Sequence, residues 1–123
     1  MCKIYFYFIL FLLIHCSSFI SAQDCISLTN SFKTYTQAIN KIESTKFRYY
    51  DELPYGKSSW ILKAKFYSCD KEVGYLVITT EKGKSYIHSQ LPLVIWVQFR
   101  NANSSGLYYN NFIKSRFKIQ IEK

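Results

Sequence analysis

The N-terminal 22 residues most constrain the fold of this chain, because their pattern predicts that the folded domain lacks them. Lys3 precedes an apolar run of about 11 residues at positions 4–14, and small residues end the stretch at Ala22. A positive end, a short apolar core and a small-residue exit are typical of a secretory signal peptide. An uncleaved membrane anchor is the alternative, but a spanning helix needs about 20 apolar residues. We therefore expect cleavage near Ala22, a secreted or periplasmic protein, and no stable membrane span after cleavage.

Cleavage at this point leaves 101 of the 123 residues, which is the length of one domain with a thin core. Of the four cysteines, only Cys25 and Cys69 lie beyond residue 22. An even pair in an oxidising compartment predicts a disulfide bond. The alternative is a redox or nucleophilic thiol. The sequence has no Cys-x-x-Cys motif to favour that chemistry.

The chain is strongly basic, with a formal net charge of +8, and loss of Lys3 leaves +7. A positive field attracts acidic polymers such as nucleic acids and acidic polysaccharides, and it also attracts anionic lipids. Solubility alone also accounts for a basic surface. The charge therefore favours an acidic partner without identifying one.

The region between the predicted cleavage point and residue 56 divides into a helix and a connector. Apolar residues recur here at helical spacing: Phe32, Tyr35, Ile39 and Ile42. This period predicts an amphipathic helix over residues 31–45, with its N-cap at one of residues 29–31. Residues 49–56 contain a proline and a glycine and are typical of a connector.

The sequence pattern after residue 57 predicts mainly strands. Apolar and polar residues alternate over positions 60–67, which predicts a half-buried strand with Lys63 and Lys65 on its basic face. Residues 75–80 and 85–89 are rich in β-formers and flank a short turn with Gly83. The pattern predicts a three-strand meander.

The C-terminal third is less clear from local signals. Residues 91–99 favour a strand by propensity, whereas Pro92 at a helix start and an apolar stripe favour a helix. A short helix over residues 107–114 and an edge strand over residues 117–121 are expected to follow. Together these elements predict an α+β fold, in which a small antiparallel sheet of three to four strands packs against one longer and one short helix. The helix at residues 31–45 is an N-terminal addition.

Residues 58–117 carry a resemblance to a known family. Its residues are Pro92, Ala102, Ser104, Gly106, Tyr108, Tyr109, Asn110 and Ile113. Their spacing resembles the closing half of the KTSC domain, a small domain named for the C-terminus of some lysyl-tRNA synthetases. The resemblance implies a helix after Leu91-Pro92, and it implies RNA binding, which has been suggested for the family. One departure is that the family carries Tyr-x-Tyr where this chain has Tyr86-Ile87-His88. On this basis the chain divides into a signal peptide at residues 1–22, a helix and connector at 23–56, and a KTSC-like domain at 57–123.

Tyr86 and His88 lie on the same face of their predicted strand, because side chains alternate along a strand. Aromatic rings on a basic sheet face can stack bases while lysines hold phosphates. The sequence therefore predicts a polyanion site of Lys63, Lys65, Lys82, Lys84, Tyr86 and His88. The alternative is that Tyr86 packs in the core, with its hydroxyl bonded to the backbone.

Catalytic and metal-binding patterns are not evident in the sequence. His88 is the only histidine beyond residue 22, no His/Cys/Asp/Glu group has the spacing of a metal site, and no Gly-x-Ser-x-Gly motif occurs. We expect no cofactor and no catalysis, with an uncharacterised enzyme as the alternative. The predicted function is an exported binding or interaction module, whose partner is an acidic polymer or a protein.

Overall fold

Four antiparallel strands, at residues 49–52, 61–68, 73–80 and 85–92, form the main sheet and lie side by side in this order. The computed structural model describes residues 24–28 and 31–122, so the predicted signal peptide lies outside the described residues. The strands are β2 (Tyr49–Glu52), β3 (Ile61–Ser68), β4 (Val73–Thr80) and β5 (Ser85–Pro92). A separate pair of short strands, β1 (Ser31–Phe32) and β6 (Gln120–Ile121), is parallel. The predicted α+β fold is confirmed.

Helices lie on both faces of the sheet. Helix α1 (Tyr35–Ser44) packs on one face through buried Ala38 and Ile42. On the other face, α2 (Leu93–Asn101) is followed by the short α3 (Ser105–Tyr108), which continues into a π-helical turn (Tyr109–Ile113). Among the described residues, no helix has the length and hydropathy needed to cross a bilayer.

The two sheet faces carry separate hydrophobic clusters, because alternate residues of β3, β4 and β5 point in opposite directions. Phe66 and Leu76 pack toward α2, where the Phe66 ring stacks on the Trp96 ring with centroids 5.4 Å apart. Tyr67 and Val77 pack toward α1. The central strands are therefore apolar on both faces around Phe66, Tyr67, Leu76 and Val77.

Helix α1 confirms the predicted N-terminal helix but begins at Tyr35 instead of residue 31. Ser31 and Phe32 pair with β6, which holds them in an extended conformation. The side chain of Thr34 then caps the helix by accepting a hydrogen bond of 3.0 Å from the Gln37 N–H. The N-cap expected at residues 29–31 is thus wrong.

The predicted connector at residues 49–56 is wrong over its first half, where β2 pairs with β3 in the register Tyr49↔Ser68. Pro54 and Gly56 lie after the end of β2 and do not interrupt the strand. The Asp51 carboxylate of β2 accepts a hydrogen bond of 2.9 Å from the Trp96 indole N–H. It also forms an ion pair with the Arg100 guanidinium at 3.2 Å. These contacts join the edge strand to α2.

Residues 91–99, ambiguous in sequence, are divided between the end of β5 and α2. Trp96 and Phe99 lie three residues apart and are fully buried, as expected for one side of a helix. The predicted edge strand at residues 117–121 is reduced to the two residues of β6, which pair with β1 outside the main sheet. An isolated bridge between His88 and Lys118 brings this segment next to β5.

The cysteine pair predicted from the sequence is confirmed. The sulfurs of Cys25 and Cys69 lie at bonding distance, with their Cα atoms 5.7 Å apart. The bridge links the short 3-10 helix Cys25–Ser27 to the residue that follows β3. The extension before α1 is therefore tied to the main sheet.

Candidate functional site

A pocket of about 340 Å³ opens beside β5, the edge strand of the main sheet. We call it the edge pocket. Half of its lining residues carry aromatic rings, namely Tyr35, Trp60, Tyr86, His88 and Tyr109. These rings come from α1, from the residue before β3, from β5 and from the π-helical turn, so the pocket depends on the complete fold.

The edge of β5 is held in place by hydrogen bonds to its backbone. The Tyr35 hydroxyl oxygen accepts a bond of 3.0 Å from the Ile87 N–H, and it lies 3.5 Å from the Ile87 carbonyl oxygen. The Ser89 N–H donates to the Phe117 carbonyl at 3.1 Å. Tyr35 therefore both lines the pocket and covers part of the strand edge.

His88 forms a buried polar contact at the base of the edge pocket, with 4% of its surface exposed. Its Nδ1 lies 3.1 Å from the Phe117 carbonyl oxygen, which can only accept, so Nδ1 carries the proton. Its Nε2 then accepts a bond of 2.8 Å from the Tyr109 hydroxyl. Burial lowers the pKa of His88 to about 4, although the bond to Phe117 opposes this shift.

Tyr109 connects the other rings of the pocket. Its ring meets Trp60 edge to face at 5.5 Å and His88 edge to face at 5.3 Å. Burial, with smaller effects from Tyr35 and Tyr86, raises the pKa of Tyr109 to about 12. Tyr109 also begins the π-helical turn, a geometry that is frequent at functional sites.

Gly106 of α3 allows Trp60 to approach the helix closely. A Cβ atom built on Gly106 would lie 2.4 Å from the Trp60 indole nitrogen and 3.2 Å from the Ser58 hydroxyl. Only glycine leaves this space open. The lack of a side chain at Gly106 therefore lets the Trp60 indole pack against α3, in the position where it lines the edge pocket.

Replacing Gly106 with alanine is expected to lower the free energy of unfolding by about 2 kcal/mol, because the added methyl group overpacks Trp60. Helix propensity alone predicts the opposite sign, since alanine is favoured over glycine by about 1 kcal/mol in a helix. Urea denaturation of Gly106→Ala, Trp60→Leu and the double variant measures the coupling. Overpacking predicts that Gly106→Ala costs much less when Trp60 is already leucine. An equal cost in both backgrounds would contradict it.

The charged side chains that line the edge pocket are both cationic, namely Lys114 and Lys118, and Asn110 adds a neutral polar group. Sequence reasoning missed both lysines. The signal that was present is regional, because residues 82–121 contain no Asp or Glu but six Lys or Arg residues. A long acid-free segment marks a surface suited to anions.

The structure does not bring together the six residues predicted as a polyanion site. Tyr86 and His88 share one face of β5 and both line the edge pocket. Lys65 pairs in register with Val77, on the face that carries α1, and Lys63 lies on this same face. Lys82 and Lys84 lie at the turn between β4 and β5.

The residues that resemble the KTSC domain have mainly structural positions. Ser104 caps α3 by accepting from the Leu107 N–H at 3.2 Å, and the Tyr108 hydroxyl donates to Gln98 at 2.6 Å. Pro92 ends β5, Ala102 directly follows α2, and Ile113 is buried in the core. Tyr109 and Asn110 line the edge pocket, and Gly106 lies against Trp60, which also lines it. The motif therefore builds one wall of the edge pocket.

Comparisons with known proteins return no matching family model, and they find no curated protein and no solved structure with significant similarity to this chain. The resemblance to the KTSC domain depends on the quoted residues alone.

One group of potential metal ligands occurs among the described residues. Ligand atoms of Asp24, Cys25 and Cys69 lie within 4.8 Å of one another. The two sulfurs are joined to each other, and a disulfide sulfur is not the thiolate that binds metals. The edge pocket is therefore the better candidate site.

Proposed function

We propose that this protein is an exported, non-catalytic binding domain and that the edge pocket holds its ligand. The observation that carries the proposal is the composition of that pocket, in which aromatic rings surround an opening with Lys114 and Lys118 among its lining residues. Pockets for small groups are usually apolar, with a few polar groups that fix orientation. Export is supported by the signal-peptide pattern and by the bonded cysteine pair.

The ligand that suits this lining is a flat ring linked to an anionic group. Rings such as Tyr86 and Trp60 offer faces and edges for stacking, which is worth about 1–3 kcal/mol per nucleic-acid base. Lys114 and Lys118 supply positive charge, and no acidic side chain lines the pocket. One nucleotide of a single-stranded nucleic acid has this chemistry, in keeping with the RNA binding implied by the KTSC resemblance. Acidic sugars are a second source of anionic rings.

The state of His88 supports binding over catalysis. A general acid or base works best with a pKa near the operating pH and with a ring nitrogen free to reach its substrate. The pKa of His88 is lowered to about 4, and both of its nitrogens are hydrogen-bonded to protein atoms. The histidine therefore serves to hold Tyr109 in place.

Neutralising the two pocket lysines is expected to weaken ligand binding about tenfold or more and to flatten its salt dependence. The probes are a fluorescent single-stranded oligonucleotide and an acidic oligosaccharide, each titrated at two salt concentrations. Loss of two phosphate contacts in Lys114→Gln/Lys118→Gln should reduce the log–log salt slope for the oligonucleotide by about 1.4. The matched control is Lys63→Gln/Lys65→Gln, which removes the same charge from the sheet face opposite to that of Tyr86 and His88. This control should bind the probes as the wild type does.

The outcomes separate the pocket from the basic sheet face. A loss confined to Lys63→Gln/Lys65→Gln would assign binding to the basic sheet face and overturn the pocket assignment. Failure of both probes to bind the wild type at low salt would overturn the ligand class. Binding of only one probe identifies which source of anionic rings the pocket accepts.

A further inference from the structure

The outer side of the helical layer exposes large apolar side chains that the edge pocket does not use. Val94 and Val97 of α2 are 59% and 42% exposed, and Leu107 of α3 and Phe112 of the π-helical turn are 60% and 43% exposed. We call these four residues the apolar ridge. Single exposed apolar residues are ordinary, but a group on adjoining elements marks an interaction surface.

The members of the apolar ridge lie on elements that contact one another directly. Val94 and Val97 are three residues apart and therefore share one side of α2. The Tyr108 hydroxyl donates to Gln98, the neighbour of Val97, at 2.6 Å. The Tyr108 ring in turn contacts the Phe112 ring with centroids 4.7 Å apart. Tyr108 thus bridges the α2 part of the ridge and the Phe112 part.

A cation lies at the Phe112 end of the apolar ridge. The Arg116 guanidinium lies 6.0 Å from the centre of the Phe112 ring, and all four ridge residues fall within the acid-free segment 82–121. Asp51 of β2 reaches α2 as well, but its carboxylate is already bonded to the Trp96 indole and to Arg100. Glu72 lies beside the start of α2, where its backbone carbonyl accepts a bond of 2.8 Å from the Leu93 N–H. The Phe112 end of the ridge therefore combines apolar side chains with a cation, whereas an acid lies near the Val94 end.

We propose that the apolar ridge docks the protein on an anionic lipid bilayer surface. Exposed aliphatic and aromatic side chains enter the boundary between head groups and acyl chains, while flanking cations pair with anionic head groups. Each basic residue near such a surface contributes about 1 kcal/mol. An acidic protein surface would need apolar side chains of its own to cover the same four residues. A bilayer supplies both kinds of contact at once, and this docking does not depend on a ligand in the edge pocket.

The proposal is tested by co-sedimentation of the mature, disulfide-bonded protein with phosphatidylcholine vesicles, with and without about one third phosphatidylglycerol. The wild type should bind the anionic vesicles at low salt and should bind the neutral vesicles much more weakly. Val94→Asn/Val97→Asn should reduce binding about tenfold, because it removes apolar area from the ridge. Arg116→Gln should reduce it about fivefold, the factor that corresponds to one basic residue.

Two control variants distinguish docking through the ridge from general stickiness. Tyr55→Asn removes a side chain that is 90% exposed outside the ridge, and Lys33→Gln removes an exposed cation beside α1, on the other face of the sheet. Both should bind nearly as the wild type does. The proposal is overturned if the wild type does not bind anionic vesicles at low salt. It is also overturned if Val94→Asn/Val97→Asn and Tyr55→Asn bind these vesicles equally well. Urea denaturation of each variant verifies that the fold is intact, and because Val94 and Val97 are exposed the double variant should unfold near the wild-type midpoint.

Discussion

Replacing Cys25 and Cys69 with serine is expected to lower the free energy of unfolding by about 4 kcal/mol. The bridge spans a sequence separation of 44 residues, and the chain-entropy model assigns a stabilisation of this size to a loop of that length. The loss is large because small domains have only about 5–15 kcal/mol of stability in total. Removing the bridge also frees the segment before α1 from the end of β3, so residues near Cys25 should lose order first.

Urea denaturation followed by tryptophan fluorescence measures this loss, since Trp60 and Trp96 both belong to the hydrophobic cluster between the main sheet and α2. The wild-type protein under reducing conditions is the matched control, because it lacks the bridge without any substitution. It should unfold at nearly the same urea concentration as Cys25→Ser/Cys69→Ser. A difference of less than about 1 kcal/mol between the bridged protein and both unbridged forms would show that the bridge adds little.

The local patterns of the sequence were sufficient for most elements of the fold. Alternation predicted β3, helical spacing predicted α1, and the pair Cys25 and Cys69 followed from counting cysteines. The connector error at β2 has a physical reason, since a short edge strand is stabilised by its pairing with β3. That pairing is not visible in four residues of sequence.

The edge pocket could be predicted only in part, because its walls are distant in sequence. Tyr86 and His88 were identified from one strand, where alternation alone places them on the same face. Tyr35 contacts the backbone of Ile87, 52 residues away, and Trp60 meets Tyr109 across the sheet edge. Such pairs depend on strand order and helix placement, which local periodicity does not specify.

The separation of Lys63 and Lys65 from the aromatic rings of β5 has a similar cause. Alternation within β3 relates Lys63 to Lys65, but relating them to Tyr86 requires the register across β4. That register contains irregularities, one between Ile61 and Lys63 and one between Gly74 and Leu76. A shift of one residue moves a side chain to the opposite face of a sheet. Sequence reasoning therefore could not tell which lysines accompany the aromatic rings.

The free energy of unfolding is expected to fall by about 3 kcal/mol between pH 7 and pH 4 through His88 alone. Burial lowers the pKa of His88 in the folded protein to about 4, whereas an unfolded chain has a histidine pKa near 6.5. Between these values the unfolded state binds more protons than the folded state, so stability decreases as the pH falls. The contribution is fully present above pH 6.5 and is lost progressively down to about pH 4, at about 1.4 kcal/mol per pH unit.

His88→Gln tests this dependence, because glutamine does not titrate and its amide can still bond the Tyr109 hydroxyl. Beyond residue 22 the chain has no other histidine, so between pH 7 and pH 5 the free energy of unfolding of the wild type should depend on pH more steeply than that of the variant. Tyr109→Phe is the matched control, since it removes the 2.8 Å hydrogen bond to Nε2 but leaves a buried histidine to titrate. It should retain the steep pH dependence at lower overall stability. Parallel curves for the wild type and His88→Gln would contradict the assignment, and the NMR titration of the His88 ring would then show a pKa near the ordinary value. A low pKa together with the Nδ1 bond to Phe117 would instead establish that a neutral imidazole holds the Tyr109 wall of the edge pocket from pH 7 down to about pH 5.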